Sequence, residues 1–270
     1  AAGGLYAYWS RRVTVDKSVS PLPPRAPIWA WEKWLTATVL AMLAVCCLLP
    51  LAAVWLKAVS AGSSWAVLLE AQTWAAAWNT VRFSAAAVAA ATVLGVLYAA
   101  AARQMAWLRV LMFLPFMVSP VCIAFGVLLL YPQWTASLWL LTATYALLAY
   151  PFVAKDVLAA WDGLPKDYVA AARTMGANGF QTACYVTAPL LKPALRRGLT
   201  LASATCIGEF AATLFLSRPE WQTLTTLIYD YLGRAGADNY GRAMVLTAVL
   251  TALALTAFLL VDEAEGQKAV

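Results

Sequence analysis

Apolar residues are gathered into six long runs, approximately Leu35 to Leu56, Val81 to Ala102, Leu108 to Leu130, Leu138 to Val153, Ala194 to Leu216 and Ala243 to Val261. Crossing about 30 Å of hydrocarbon takes roughly 20 helical residues, and backbone groups left unpaired in lipid are too costly for any open alternative. The runs therefore predict six transmembrane helices and an all-α polytopic membrane protein. The fourth run is the shortest, and Pro151 lies near its end. Trp31, Trp34, Trp55, Trp107, Trp134 and Trp139 fall near run ends, where an amphipathic ring suits the lipid–water boundary.

Composition agrees with this pattern. Hydrophobic residues make up 63% of the 270 and charged residues only 12%, against about a quarter in a soluble domain. The net charge of +6 belongs to a membrane surface rather than to nucleic acid, because the basic residues lie between apolar runs and form no stripe with interleaved aromatics. Placing the segment before Leu35 in the cytoplasm puts 14 of the 19 Lys and Arg residues on that side, as the positive-inside rule requires. Lys57, Arg82, Arg218, Arg234 and Arg242 then lie at or near external loops, with Arg82 snorkelling to the interface. Both ends of the six-helix unit are expected to be cytoplasmic. This divides the chain into residues 1–34, a membrane unit over 35–262 with a cytoplasmic loop at 154–193, and a tail at 263–270. The opening Leu5-Tyr6-Ala7-Tyr8-Trp9-Ser10-Arg11-Arg12 and the Pro-rich Pro21 to Pro27 suit either a linker from a preceding helical half or an amino-terminal tail.

The chain has no His, which removes the commonest general base and metal ligand. Cys46, Cys47, Cys122, Cys184 and Cys206 show no CxxC spacing and read as packing residues. No catalytic residue, metal site or cofactor is expected in the chain. No GxxxxGK[ST] phosphate loop occurs either, so ATP and Mg, if they drive this protein, are bound by another subunit.

The loop from Ala154 to Pro193 is patterned. In Lys166 to Met175 the side chains of Tyr168, Ala172 and Met175 recur at spacings of four and three, predicting a short amphipathic helix. Gly176 is expected to stop it. Asn178 is placed to cap a second stretch, Gly179 to Thr187, which Pro189 and Pro193 are expected to close. The result is a helix-turn-helix on the cytoplasmic face, shaped to dock a partner.

The residues Ala170-Ala171-Ala172-Arg173-Thr174-Met175-Gly176-Ala177, followed by Val186-Thr187-Ala188-Pro189-Leu190, resemble the EAA loop of permeases in type I ATP-binding-cassette (ABC) importers. The likeness covers about Asn79 to Val261 and implies a MetI-like permease fold. It also implies an ABC ATPase subunit, an extracytoplasmic solute-binding protein, a second permease half and a bacterial inner membrane location. Carried over residue by residue, the surface coupled to the ATPase is Ala171, Ala172, Gly176 and Ala177, with Arg173 at its edge. Ala170 stands where the family usually has Glu, so an ion pair from that position is not carried over, whereas the glycine turn is.

A narrower likeness runs over Gly208 to Leu216 and Trp221 to Leu224, which resemble the fifth helix and following loop of permeases for ferric iron, thiamine and certain oxyanions. Ferric iron or thiamine is the cargo this implies, with the chain as the second half of a fused permease. Glu209 is a carboxylate inside an apolar run, costly unless it meets a partner or a wet cavity. Two readings of Gly208-Glu209-Phe210 stand: a lining of the translocation path, or a hydrogen-bonded packing or gating element with Gly208 allowing close helix approach. An ion-coupled secondary transporter would carry ionisable residues in several helices, and a membrane-embedded enzyme would need convergent polar groups. Glu209 is nearly alone.

Overall fold

The computed structural model describes residues 30–134 and 137–262, and among these it is helical almost throughout, without a strand. Residues 1–29 and 263–270, with the linker and the tail expected there, lie outside the described residues. The long helices are α1 (Ala30–Val59), α2 (Ala71–Gln104), α6 (Leu138–Gly163), α9 (Ala188–Ile207) and α12 (Ala237–Asp262). Shorter ones are α3 (Ala106–Leu111), α4 (Leu114–Met117), α5 (Pro120–Leu130), α7 (Lys166–Thr174), α8 (Gly179–Thr182), α10 (Ala211–Leu216) and α11 (Leu224–Gly233). A 3-10 segment, Gly62–Leu69, joins α1 to α2.

Four of these helices are long and apolar enough to cross a membrane, and a bent pair raises the number to five. The expected six uninterrupted runs are corrected at three places. Leu108 to Leu130 is not one helix: its two halves meet at 95°. Pro120 lacks an amide hydrogen and holds Ser119 extended before it, so α5 starts afresh. Ala194 to Leu216 is also divided, because α9 ends at Ile207 and Glu209-Phe210 leave the helix before α10 begins. The fourth run, expected to end at Val153 just past Pro151, continues as α6 to Gly163 with Pro151 inside the helix. Packing on α2 and α9 holds the helix through the lost hydrogen bond. It stops where Leu164 turns extended ahead of Pro165.

The centre of the bundle is α6. Of its apolar stretch 61% is buried, against none for α1, so α6 is the hub and α1 a peripheral helix. Two glycines make the hub possible. Gly95 on α2 and Gly198 on α9 both abut Val153, itself fully buried, on α6. A Cβ at Gly198 would lie 2.7 Å from Val153 Cα, so only a hydrogen there allows the two backbones this close. Arg103 at the end of α2 reaches Trp161 and Asp162 at the end of α6, so α2 and α6 run side by side in the same direction. A second core forms around α11 and α12, where Leu224, Leu227, Tyr231, Val245 and Leu246 pack on Val67 and Ala76.

Candidate functional site

At the end of the bundle where α2 and α6 finish, α7 and α8 form the expected helical hairpin. Its turn is built by local chemistry. Gly176 has φ +86°, a left-handed conformation that a side chain resists. The Ala177 amide donates to the Ala172 carbonyl and the Gly176 amide to the Arg173 carbonyl, both at 3.0 Å. This pair of bonds is the glycine C-cap that satisfies the last carbonyls of α7. Asn178 then opens α8 with a reciprocal capping box: Asn178 Oδ1 accepts from the Gln181 amide at 2.8 Å, and Gln181 Oε1 accepts from the Asn178 amide at 3.0 Å.

The proline stop is corrected. After α8 the chain passes through a π-helical turn, Ala183–Thr187, directly into α9. Pro189 follows the π turn directly and Pro193 lies deeper in α9, so neither proline interrupts the continuous helical run. The apolar stripe of α7 faces outward rather than into the bundle. Tyr168 is 54% exposed and Met175 88%, with Phe180 and Tyr185 beside them equally open. Of the five residues singled out in the loop, Ala171, Arg173 and Gly176 are exposed, and Ala172 and Ala177 half-buried.

Behind the hairpin is a groove of about 580 Å³, lined by Arg103, Trp161, Leu164, Val169, Arg173 and Thr187 among others. Asp162 is gripped by both terminal nitrogens of Arg109, at 2.7 and 3.3 Å. The guanidinium carbon of Arg103 lies over the Trp161 ring, 4.7 Å from its centroid.

The second place the sequence marked is the break between α9 and α10. Glu209 is buried, and its Oε1 accepts a hydrogen bond from the Ala212 amide at 3.1 Å, closing the otherwise open start of α10. Its carbonyl accepts from the Tyr145 hydroxyl at 3.3 Å and from Thr225 Oγ1 at 3.1 Å. Tyr145 also bonds Thr213. Phe210 packs on Tyr229 with ring centroids 5.2 Å apart. Gly208 is not a point of close helix approach: a Cβ there would meet only Ala204 O, at 3.5 Å. That role belongs to Gly95 and Gly198.

The loop that follows is tied to α2. Asn79 Nδ2 donates to the carbonyls of Glu220 and Gln222 at 3.1 and 2.9 Å, and the Leu224 amide donates to Thr80 Oγ1 at 2.9 Å. Sequence reasoning missed a polar cluster at the same end of the bundle. Arg242 bonds Glu70 at 2.7 Å and Asp238 at 2.9 Å, the Tyr231 hydroxyl donates to Glu70 at 2.8 Å, and Ser64 donates to Asp238 at 2.8 Å. Gly241 lets the 3-10 segment press against α12. Asp238 and Arg242 are an i,i+4 pair on α12, but the contacts to Glu70 and Ser64 join residues more than 150 positions apart and leave no local signature.

Residues 91–262 match the protein family described as "Binding-protein-dependent transport system inner membrane component". The chain belongs to this family. Both the hairpin and the Glu209 break fall within the matched stretch, while α1 and much of α2 precede it. Among curated proteins, the chain is 28% identical over 153 residues to the putative 2-aminoethylphosphonate transport system permease protein PhnV of Salmonella typhimurium, covering 55% of this chain and 57% of that one. It is 31% identical over 134 residues to the sulfate transport system permease protein CysT of Escherichia coli, covering 46% and 48%. The chain thus spans about half the length of these curated relatives.

Two solved structures share the fold. One is a bacterial ABC transporter involved in the import of the acidic polysaccharide alginate, with TM-score 0.69 and 16% identity over 89% of this chain and 98% of that one. The other is a bacterial alginate ABC transporter in complex with an alginate pentasaccharide-bound periplasmic protein, with TM-score 0.67 and 17% identity over 86% and 94%. At such identities they speak for the fold alone. Neither they nor the two relatives named above are described as importers of ferric iron or thiamine.

Proposed function

We propose that this family member is the membrane-spanning permease subunit of an ATP-driven importer, which receives a solute from an extracytoplasmic binding protein and passes it inward by alternating access. The observation that carries the proposal is the hairpin. It is locally fixed by a left-handed glycine and a capping box, yet it presents Tyr168, Met175 and Phe180 to solvent. Exposed apolar side chains on a short rigid element mark a docking surface. The partner proposed for it is a separate ATPase subunit that binds ATP and Mg, contacting Ala171, Ala172, Arg173, Gly176 and Ala177.

On this reading the hairpin end is cytoplasmic, which agrees with Arg103 and Arg109 at the ends of α2 and α6 and with Lys192 near the start of α9. Six passes are made by α1, α2, the bent unit α3 to α5, α6, α9 continued by α11, and α12, with a second permease half completing the path. ATP and the loaded binding protein must both favour the outward-open state for the cycle to run. The relatives' names support a small oxyanion as cargo over ferric iron or thiamine. An ion-coupled transporter finds less support, because the buried Glu209 carboxylate accepts a backbone amide as a helix cap does.

Crosslinking tests this directly. Cysteines replacing Ala172 or Met175 are expected to capture a nucleotide-hydrolysing subunit in membranes. Gly176→Pro, incompatible with φ +86°, is expected to leave ATP hydrolysis but abolish uptake. Proton-driven uptake by the chain alone would reject the assignment.

A further inference from the structure

We propose that the groove between the hairpin and the ends of α2 and α6 holds the headgroup phosphate of an anionic phospholipid. Its volume of about 580 Å³ lies within the roughly 300–1,000 Å³ usual for small-ligand sites. Arg103 and Arg173 line it, and no Asp or Glu does among the described residues. Asp162, beside Arg103, is engaged elsewhere: Arg109 holds it through two hydrogen bonds, leaving Arg103 with a loose 3.9 Å contact to it. Arg103 is instead oriented by the Trp161 ring, which leaves its edge donors open to an oxyanion. Arg173 forms no hydrogen bond or ion pair with another described side chain, and it faces the same groove.

Most of the remaining wall is apolar, with Thr182 and Thr187 its polar members. Leu164, Pro165, Val169 and Ala170 line the groove with the Trp161 ring, so a ligand there needs a compact anionic head joined to a hydrocarbon stem. A guanidinium pair over an apolar wall at the end of two membrane helices fits a lipid phosphate, with charge and greasy surface in the order a leaflet supplies them. The inference needs the membrane-spanning reading but not the docking of an ATPase, so each can fail without the other. If the lipid is bound, the hairpin is held against α2 and α6 through an exchangeable third component, and its freedom depends on membrane composition.

The test uses the full chain in mild detergent, supplied with phosphatidylglycerol or phosphatidylcholine at equal concentration, and counts retained lipid by native mass spectrometry. Wild-type protein should retain phosphatidylglycerol at least tenfold more. An arginine near an anionic lipid contributes about 1 kcal/mol, so Arg103→Gln and Arg173→Gln should each lower retention roughly fivefold and the double variant about 25-fold. Arg218→Gln with Arg234→Gln, at the opposite end of the bundle, should change nothing. Because the Arg173 side chain is exposed and unbonded, its variant tests the site even if Arg103→Gln misfolds. Undiminished retention in Arg173→Gln overturns the proposal, as does equal retention of the two lipids. Displacement by millimolar inorganic phosphate assigns the groove to a free anion, and loss of lipid whenever an ATPase subunit binds assigns it to that protein. Either result also overturns the proposal.

Discussion

Gly198→Ala adds a single methyl group and puts it where nothing can move aside cheaply. The new Cβ would lie 2.7 Å from Val153 Cα and 3.3 Å from both Phe152 O and Val153 N. These are backbone atoms of α6, the most buried helix of the bundle. Ordinary contact begins at 3.4 Å, so α9 would retreat by the difference from 2.7 Å, about 0.7 Å. Overpacking of this kind costs about 2 kcal/mol, which lowers the melting temperature by roughly 4–8 °C in a chain of this size. Cys206 supplies the assay, because it is buried while Cys46, Cys47, Cys122 and Cys184 are exposed. With those four replaced by Ser, a thiol-reactive dye reports unfolding through Cys206 alone. Gly126→Ala is the control, since a Cβ there meets nothing within 4 Å. Gly95→Ala strains a different part of the same residue, the Val153 Cβ and Cγ1 at 2.7 and 2.9 Å. Val153→Ala should therefore restore part of the stability lost in Gly95→Ala and none of that lost in Gly198→Ala. A wild-type melting temperature for Gly198→Ala, or its rescue by Val153→Ala, would refute the two-glycine clamp.

Three further perturbations separate the roles assigned above. Asn178→Ala removes one half of the capping box and should cost about 1 kcal/mol, seen as faster hydrogen exchange over residues 178–182; exchange at the wild-type rate would show that the turn is held by other contacts. Glu209→Ala strands the Ala212 amide at a cost of about 1–3 kcal/mol, whereas Glu209→Gln keeps an acceptor and should melt near wild type. Uptake lost in a stable Glu209→Gln protein would show that the charge itself serves transport. Arg242→Met removes the ion pair that ties Glu70 to α12, so exchange over residues 62–70 should rise while the hairpin is unaffected; equal exchange would mean that Gly241 packing and the Ser64–Asp238 and Tyr231–Glu70 bonds hold the 3-10 segment.

The hairpin was legible because its determinants are local. A glycine that must be left-handed and an Asn that caps three residues ahead can be read without knowing what lies nearby. The helix breaks were not, because their causes are distant: Glu209 is held out of the helix by Tyr145 on α6 and Thr225 on α11 as well as by its own capping bond. Pro151 misled in the opposite sense, since a helix packed on two sides survives a missing hydrogen bond that an exposed one would not. Gly95 and Gly198 did carry a signal, as isolated glycines in otherwise helical runs. Gly208 is more conspicuous because it stands beside a carboxylate, yet a Cβ there would meet only Ala204 O of its own helix. Of the Glu70–Arg242 cluster only the i,i+4 pair Asp238–Arg242 was readable, because Glu70, Ser64 and Tyr231 reach it from distant parts of the chain.

The uninterrupted run from Gly179 to Ile207 gives these separate features a mechanical order. The α8 helix, the π turn and α9 follow one another with no extended residue between them, so the hairpin cannot be displaced without carrying α9 along. At a rise of about 1.5 Å per residue, α9 alone is some 30 Å long. Near its middle, Gly198 rests on Val153 with no side chain to cushion the contact, which favours rocking about that point over sliding past it. Its far end is the break at Gly208 to Phe210, where the chain is already released from the helix and held by the hydroxyls of Tyr145 and Thr225. On the proposed reading, a pull on the hairpin is delivered to that break with its direction reversed across the Gly198 pivot. The stabilising contact of the fold and the fulcrum of transport are then the same pair of residues, and Gly198→Ala should weaken both together.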